Sequence, residues 1–572
     1  MLPVLTPDEM AAVDAAASEP VDVLIERAGA GVARDALALM GGAYGRHVVV
    51  VAGKGNNGND GRAAARRLAR RGVRTVVYAV ADAPARLPAA DLVIDAAFGT
   101  GFRGTYRPPD PGDAPVLAVD IPSGVDGLTG AVGGGRDSGG DGGDSRGAAG
   151  HHGDERDGEA HGGGAAGPGG HGGTGAHAVR ADRTTTFAAV KPGLLFHPGR
   201  GLAGDVRLVD IGLDVSGATV GVVEAADVAA WLPPRPADSH KWRAAVVVAA
   251  GSPGMTGAAH LAARAAQRTG AGMVRVTSPG LDHDPGLPTE AVGIATPGAG
   301  WDTVVLDQLA RAGALVIGPG LGRSAPGDTA VVQVLAAARV PAVVDGDGLT
   351  ALGDEPGARL AGRPGPTVLT PHDGEYARLA GRPPGDDRIA AARALAAATG
   401  AVVLLKGPTT VVAHPDGRAR LSTTGDARLA TAGTGDVLSG IVGALLAQGL
   451  DAFDAAASGA WLHGRAARSG PARGLVASDV VDGLPGALDE LDQVDPREGE
   501  GAGGVDLGAG GPAPPSAGGA RSGAAGSARG APGAAGGARS GAAGSAPRNA
   551  GGVPRPRASG SGPRATGPEE RR

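Results

Sequence analysis

Short, continuous runs of β-branched and other apolar residues recur along the chain: HVVVVAG (47–53), DLVIDAAFG (91–99), VLAVDIPSG (116–124), AAVVVAAG (244–251), ALVIGPG (314–320), PAVVDGD (341–347) and AVVLLKG (401–407). Unbroken runs of this length fit strands buried on both faces. Amphipathic helical stretches separate most of them. The alternation predicts an α/β fold built on parallel sheets with both faces covered. Ligands of such sheets bind beyond the carboxyl ends of the strands. Nearly every glycine-rich or acidic motif here follows a strand at that end.

Two stretches lack this pattern. Residues 131–177 are Gly, Asp and His with almost no apolar side chain. Such a segment cannot bury enough surface to offset its ordering entropy, so a disordered insertion is expected. It interrupts a domain, because strand-like sequence resumes at AVRADRTTTFAAV (178–190). From 496 to 572 the chain is Gly, Ala, Ser, Pro and Arg, with GGARSGAAGSA at 518–528 and again at 536–546. A repeat with no face to bury is no solenoid unit, and a disordered tail is expected. WLPPRP (231–236) is predicted to separate the two sheets, giving domains at 1–215 and 225–490.

A chain of 572 residues is too long for one core. A net charge of −6 gives no reason to expect nucleic acid or an acidic membrane as partner. The absence of cysteine excludes disulfides, zinc–thiolate sites and cysteine nucleophiles. MLPVLTPDEM lacks a basic region followed by an apolar run, so no signal peptide is expected, and without an apolar run long enough to span a membrane a cytoplasmic protein is expected. Of 53 basic residues only Lys54, Lys191, Lys241 and Lys406 are lysine. Arginine's fork does not replace a compact ammonium, so at least two of the four are expected to be functional.

In the first domain HVVVV runs into AGKGNNGNDG (52–61), with a helix predicted from near Arg62. Glycines after a strand let the backbone approach a phosphate, and the helix N-terminus favours its charge. Asn56, Asn57, Asn59 and Asp60 exceed what a turn needs. The next strand ends in Asp95, followed by FGTGFRGTYRP (98–108), and the third in Asp120-Ile121-Pro122-Ser123. Three adjacent strand ends thus offer Asn57, Asp95 and Ser123. Hard oxygen ligands suit an alkali or alkaline-earth ion, and a single carboxylate favours a monovalent one.

In the second domain, residues 239–276 read as strand, glycine turn and small-residue helix. GPGLG (318–322) and TPHDGE (370–375) follow further strands, the latter presenting His372. LLKGPTT (404–410) offers a lysine and hydroxyls to an anion. AGTGDVLSGIVGALLAQG (432–449) opens a helix on bare backbone N–H groups, an anion hole for a nucleotide phosphate. Its residues Val437, Leu438, Ile441, Val442, Leu445 and Leu446 predict one apolar face. Asp436 at the mouth can take a proton or position a hydroxyl.

LIERAG (24–29), GKGNNGNDG, DAAFGTGFRG, DIPSGVDGLTG and TTTFAAVKPGLL (184–195) together resemble the NAD(P)H-hydrate epimerase family. The resemblance implies a Rossmann-like three-layer α/β/α domain. It implies that Asn56, Asn57, Gly58, Asn59 and Asp60, with Gly99, Thr100, Gly101, Phe102, Arg103, Gly104 and Thr105, hold the substrate. It makes Asn57, Asp95 and Ser123 potassium ligands and Asp120 a substrate contact. Asp120 and Lys191 are then expected to handle protons at the hydroxylated ring carbon. The family loop usually reads Asn-Asn-Gly-Gly-Asp. Asn59 replaces its second glycine, a residue that tolerates a left-handed backbone but whose side chain could crowd the substrate.

GSPGMTGAA, GPGLG, TPHDGE, LKGPTT and AGTGDVLSG, in this order, resemble NAD(P)H-hydrate dehydratase within the ribokinase-like superfamily. That implies that Ala258, Gly320, Gly322, His372 and Asp436 face the hydrated nucleotide. Lys406, Gly407, Pro408, Thr409, Thr410 and Gly435 then face ADP, with Mg²⁺ accompanying it. Asp436 becomes the base that frees the ring hydroxyl for phosphorylation. Trp242-Arg243-Ala244 after His240-Lys241 departs from the family pattern and reads as a local change at the domain entry. The expected substrates are NADHX, NADPHX and ADP, and by analogy with such domains a homo-oligomer is expected. Two other readings accommodate the same motifs: a dehydratase carrying an inactive binding module, and a small-molecule kinase using ATP.

Overall fold

The computed structural model describes residues 1–133, 177–494 and 504–505. The expected insertion, apart from its ends, and the expected tail, apart from Gly504–Val505, lie outside the described residues. No helix among the described residues is long and apolar enough to cross a membrane.

Two sheets form. The first runs Gly504–Val505, Asp205–Val209, Arg183–Phe187, Val116–Val119, Leu92–Ala96, His47–Ala52, Arg74–Ala79. All its pairings are parallel except that of Gly504–Val505. His47–Ala52 has its chain successors on opposite sides, so the strand order reverses beside it. That reversal places Asn57 and Asp95 on neighbouring strand ends. Helices Pro7–Ala16, Val21–Met40 and Asn56–Arg70 pack on one face, against Val48, Val50, Leu92 and Ile94. The other face meets Leu87, Phe98, Phe102 and Tyr106.

The second sheet has eleven strands, ordered Leu2–Val4, Val220–Val222, Ala419–Ser422, Thr410–Ala413, Val402–Leu405, Thr367–Leu369, Ala342–Val344, Ala314–Ile317, Ala245–Ala249, Met273–Thr277, Val292–Ile294. It is mixed rather than parallel. Val402–Leu405, Thr410–Ala413 and Ala419–Ser422 pair antiparallel, because Gly407-Pro408-Thr409 and the 414–418 turn are far too short for a crossover. The expectation that WLPPRP separates the sheets is corrected. Val220–Val222 lies upstream of it yet already belongs to the second sheet, and so does Leu2–Val4 from the start of the chain. Residues of both halves also share one apolar core, in which Val4, Ile121, Leu194 and Phe196 join Val247, Leu315 and Val403.

Helix Thr434–Ala447 corrects a second expectation. It is buried on every side from Val437 to Ala447, not along one face. Gly440 allows this: a Cβ there would lie 2.2 Å from the Ala262 carbonyl oxygen of helix Thr256–Arg268.

Candidate active sites

A cleft of about 890 Å³ opens at the strand-order reversal of the first sheet. Asn56, Asn57, Asp60, Gly99, Thr100, Gly101, Phe102, Arg103, Asp120 and Lys191 line it, together with Lys54 and Asp14. The helix after the first strand begins at Asn56, not near Arg62, so Asn56–Asp60 form its first turn rather than a loop. Gly58 is required there, since a Cβ would sit 2.1 Å from the Gly53 carbonyl oxygen. Asn59 therefore has helical backbone, and left-handed tolerance is irrelevant to it. Its Oδ1 faces the Arg62 guanidinium at 3.5 Å. Gly58, Asn59, Gly104 and Thr105 do not line the cleft.

The Lys191 side chain is buried, with Nζ 2.6 Å from Asp120 Oδ1. The ammonium also donates to the Phe187 carbonyl (2.9 Å) and to Thr186 Oγ1 (3.2 Å). Thr186 in turn donates to Asp120 Oδ1 at 3.1 Å. Asp120 and Ala188 follow adjacent strands and both have positive φ, 66° and 59°. Two such non-glycine residues beside a buried ion pair mark a spot where the fold holds strain. Asp60 is buried nearby. Burial, reinforced by the charges of Asp120 and Asp14 and opposed by Lys191, raises its pKa to about 8. Asp14 is raised as well, mainly by burial. Asp14 and Thr186 were missed from sequence: Thr186 sits inside TTTFAAVKPGLL, whereas Asp14 lies on a helix with no distinguishing pattern.

Beneath the cleft, Asn57, Asp95 and Ser123 are brought together as expected. Ser123 donates from N and Oγ to Asp95, at 2.8 and 2.7 Å. Asn57 Nδ2 donates to the Phe98 carbonyl at 3.0 Å, and Ser123 Oγ lies 3.2 Å from that same oxygen. Asn57 Oδ1 is buried without any hydrogen-bond partner. Burial raises Asp95 to about 6 against its hydrogen bonds from Ser123 and Ala97. An orphaned amide oxygen beside a carbonyl, a hydroxyl and one carboxylate is a donor set that a monovalent cation fits.

The second site gathers at the carboxyl ends of Ala342–Val344, Thr367–Leu369 and Val402–Leu405 and the start of helix Thr434–Ala447. Lys406 Nζ lies 2.8 Å from Asp345 Oδ1 and 3.6 Å from Glu375 Oε2. Burial acts to lower its pKa, but Asp345, Glu375 and Asp436 outweigh that and raise it, so the ammonium stays charged. Ser439 Oγ donates to Asp345 Oδ2 at 2.8 Å. Asp436 is raised to about 7 by burial and by Asp345 and Asp347, against Lys406. Gly435 is tight against this cluster: a Cβ there would stand 3.4 Å from Lys406 Nζ.

His372 caps helix Asp373–Ala380, its Nδ1 accepting from the Gly374 and Glu375 amides at 3.0 and 3.4 Å. That leaves the ring proton on Nε2. Gly320 adjoins Ala258, with 2.9 Å between a Cβ built on Gly320 and that of Ala258. The Gly322 amide donates to Asp347 at 2.8 Å. Asp345, Asp347, Glu375 and Ser439 were missed as site residues, although all four stand inside the motifs PAVVDGD, TPHDGE and AGTGDVLSG. Thr409 departs from expectation. It is buried, and its hydroxyl donates to the Leu195 carbonyl of the first half at 2.5 Å, so its side chain is not offered to a nucleotide. Lys241 is exposed and Trp242 packs 4.0 Å from the Arg311 guanidinium, outside both sites.

A family model described as NAD(P)H-hydrate dehydratase matches residues 246–482, and one described as YjeF-related protein N-terminus matches residues 21–89. The chain is 40% identical to a Mycobacterium tuberculosis H37Rv protein named bifunctional NAD(P)H-hydrate repair enzyme Nnr, over 77% of this chain and 88% of that protein. The Escherichia coli K12 protein of the same name is 33% identical over 77% of this chain and 84% of its own length. Among solved structures, an ADP/ATP-dependent NAD(P)H-hydrate dehydratase from Bacillus subtilis is 33% identical, with a TM-score of 0.41, covering 48% of this chain and 99% of that one.

Proposed function

From the premise that this chain belongs to the bifunctional NAD(P)H-hydrate repair enzymes, we propose that each half performs one step at the site described above. The Rossmann-like first half interconverts the R and S hydrates of NADH and NADPH. The ribokinase-like second half dehydrates the S hydrate at the expense of ADP.

The observation that carries the first assignment is the buried Asp120–Lys191 pair on the wall of the cleft. An acceptor and a donor held together there can move a proton at the hydroxylated ring carbon. Protonated Asp60 adds a neutral hydrogen-bond donor at neutral pH. Asn57, Asp95 and Ser123 would hold K⁺, which supplies fixed positive charge near the substrate's phosphates.

In the second half the ring hydroxyl is a poor leaving group until phosphorylated. Asp436 accepts its proton as the oxygen attacks the β-phosphorus of ADP, and the bond from that phosphorus to the bridging oxygen breaks, releasing AMP. The carbon–oxygen bond then breaks and phosphate leaves. The neighbouring ring carbon loses a proton, and the double bond is restored. Lys406 and the amides at the start of helix Thr434–Ala447 face the phosphates. Mg²⁺ would enter on the diphosphate and neutralise its charge.

The test is recovery of the reduced-nicotinamide absorbance from mixed R and S hydrates with ADP, Mg²⁺ and K⁺. Complete recovery, faster than spontaneous epimerisation, is expected. Recovery that stops at the S fraction removes the first assignment. Recovery with ATP but not with ADP changes the phosphoryl donor, and phosphotransfer from ATP without recovery replaces the second assignment with a kinase.

A further inference from the structure

The side chain of Arg200 leaves the half of the molecule that carries it. Arg200 sits in the 3₁₀ turn Gly199–Gly201, between two strands of the first sheet. One terminal nitrogen donates to the Pro408 carbonyl at 2.6 Å and to Thr409 Oγ1 at 2.9 Å. The other donates to the Thr423 and Gly425 carbonyls at 2.9 and 3.1 Å. The residue is 8% exposed. A second tie runs beside it, from the Thr409 hydroxyl to the Leu195 carbonyl.

The recipients are two pieces of backbone that border the second site. Pro408 and Thr409 make the turn that begins at Lys406. Thr423–Gly425 leads through the 3₁₀ turn Ala427–Leu429 to Thr434, whose hydroxyl donates to the Leu429 carbonyl at 2.8 Å. One guanidinium therefore bridges the lysine-bearing turn and the approach to the helix whose amides face the phosphates. Only a planar fork with donors on separate nitrogens reaches carbonyls on both. The segment from Lys191 is fixed on its own side by Leu194 N donating to the Lys191 carbonyl (3.0 Å) and Arg200 N to the Phe196 carbonyl (2.8 Å).

We propose that Arg200, supplied by the epimerase half, is a positioning residue for the ADP loop of the dehydratase half. The proposal rests on the reading that Lys406 and its turn receive ADP. A role confined to gluing the halves together would lower stability and leave ADP affinity alone.

The experiment uses the full chain with Arg200→Ala and Arg200→Lys. It follows dehydration of the S hydrate against ADP concentration, and binding of Mg²⁺–ADP by calorimetry. Arg200→Ala is expected to raise both KM and Kd for ADP about tenfold or more while kcat at saturating ADP stays within about threefold. Arg200→Lys should fall between it and the parent. A folded Arg200→Ala chain with parental ADP affinity overturns the proposal, whatever its kcat. If thermal melting shows that Arg200→Ala does not fold, Arg200→Lys decides, and parental ADP affinity in it is the overturning result. Lys406→Met separates the two readings. Unchanged ADP affinity there refutes the loop assignment itself, whereas an effect there and none at Arg200 refutes only the present proposal.

Discussion

Asp120 and Lys191 meet at 2.6 Å across neighbouring strand ends, and Asp120 reaches that position with a φ of 66°. The carboxylate is thus aimed by backbone geometry and neutralised by a buried ammonium. Asp120→Asn and Lys191→Met are expected to slow R-to-S interconversion by roughly 10²–10⁴-fold, the usual share of a positioned acid or base. Chromatographic separation of the two hydrates over time measures this directly.

Asp60 should make epimerisation sensitive to alkali. Its pKa of about 8 lies above the ordinary aspartate value. The neutral, donating form is therefore present below about pH 8 and lost above it. KM for the R hydrate is expected to rise through that pH. Asp60→Asn keeps a permanent donor and should flatten the alkaline limb, whereas Asp60→Ala should raise KM across the whole range. An unchanged limb in the Asn variant refutes the donor role.

Asp436 predicts opposite trends for rate and stability. With a pKa of about 7 it is ionised, and able to act as a base, only above that pH. Dehydration should therefore quicken as pH rises through about 7. Because the folded state holds this proton more tightly than the unfolded chain does, Asp436 removes stability as pH rises from about 4 to 7. Asp436→Asn should abolish most dehydration while melting higher than the parent at pH 8. Calorimetric melts at pH 5 and 8 check the sign.

Asn57 Oδ1, buried and unpartnered, predicts an ion effect. Replacing KCl with a bulky quaternary ammonium chloride at equal ionic strength should lower both the melting temperature and the epimerisation rate. In Asn57→Leu both quantities should be indifferent to K⁺. A K⁺ response that survives in Asn57→Leu would place the ion elsewhere.

Most strands were legible because continuous valine-rich runs have few other stable uses. The site motifs were legible because they follow those runs directly. What stayed hidden has physical reasons. Leu2–Val4 and Val220–Val222 are three residues long and pair with each other across most of the first half, a non-local relation that no local pattern records. The helix start at Asn56 looked like a loop because its first turn is Asn-Asn-Gly-Asn, poor in helix formers. The mixed order of the second sheet could have been read from the brevity of Gly407-Pro408-Thr409. Arg200 gave no signal at all, being one arginine among many in a glycine-rich turn.

The pairing of Leu2–Val4 with Val220–Val222 means that the two catalytic units are interlocked rather than strung in series. The second sheet borrows its outermost strand from a stretch that precedes the entire first unit. A dehydratase released by cutting between Val209 and Val220 would expose a bare row of backbone donors and acceptors along Val220–Val222. Such an edge recruits other strands, its own copies included. Adding a short peptide spanning Leu2–Val4 should restore solubility to the severed unit, and any redesign that swaps or inserts modules at the junction must carry that strand along.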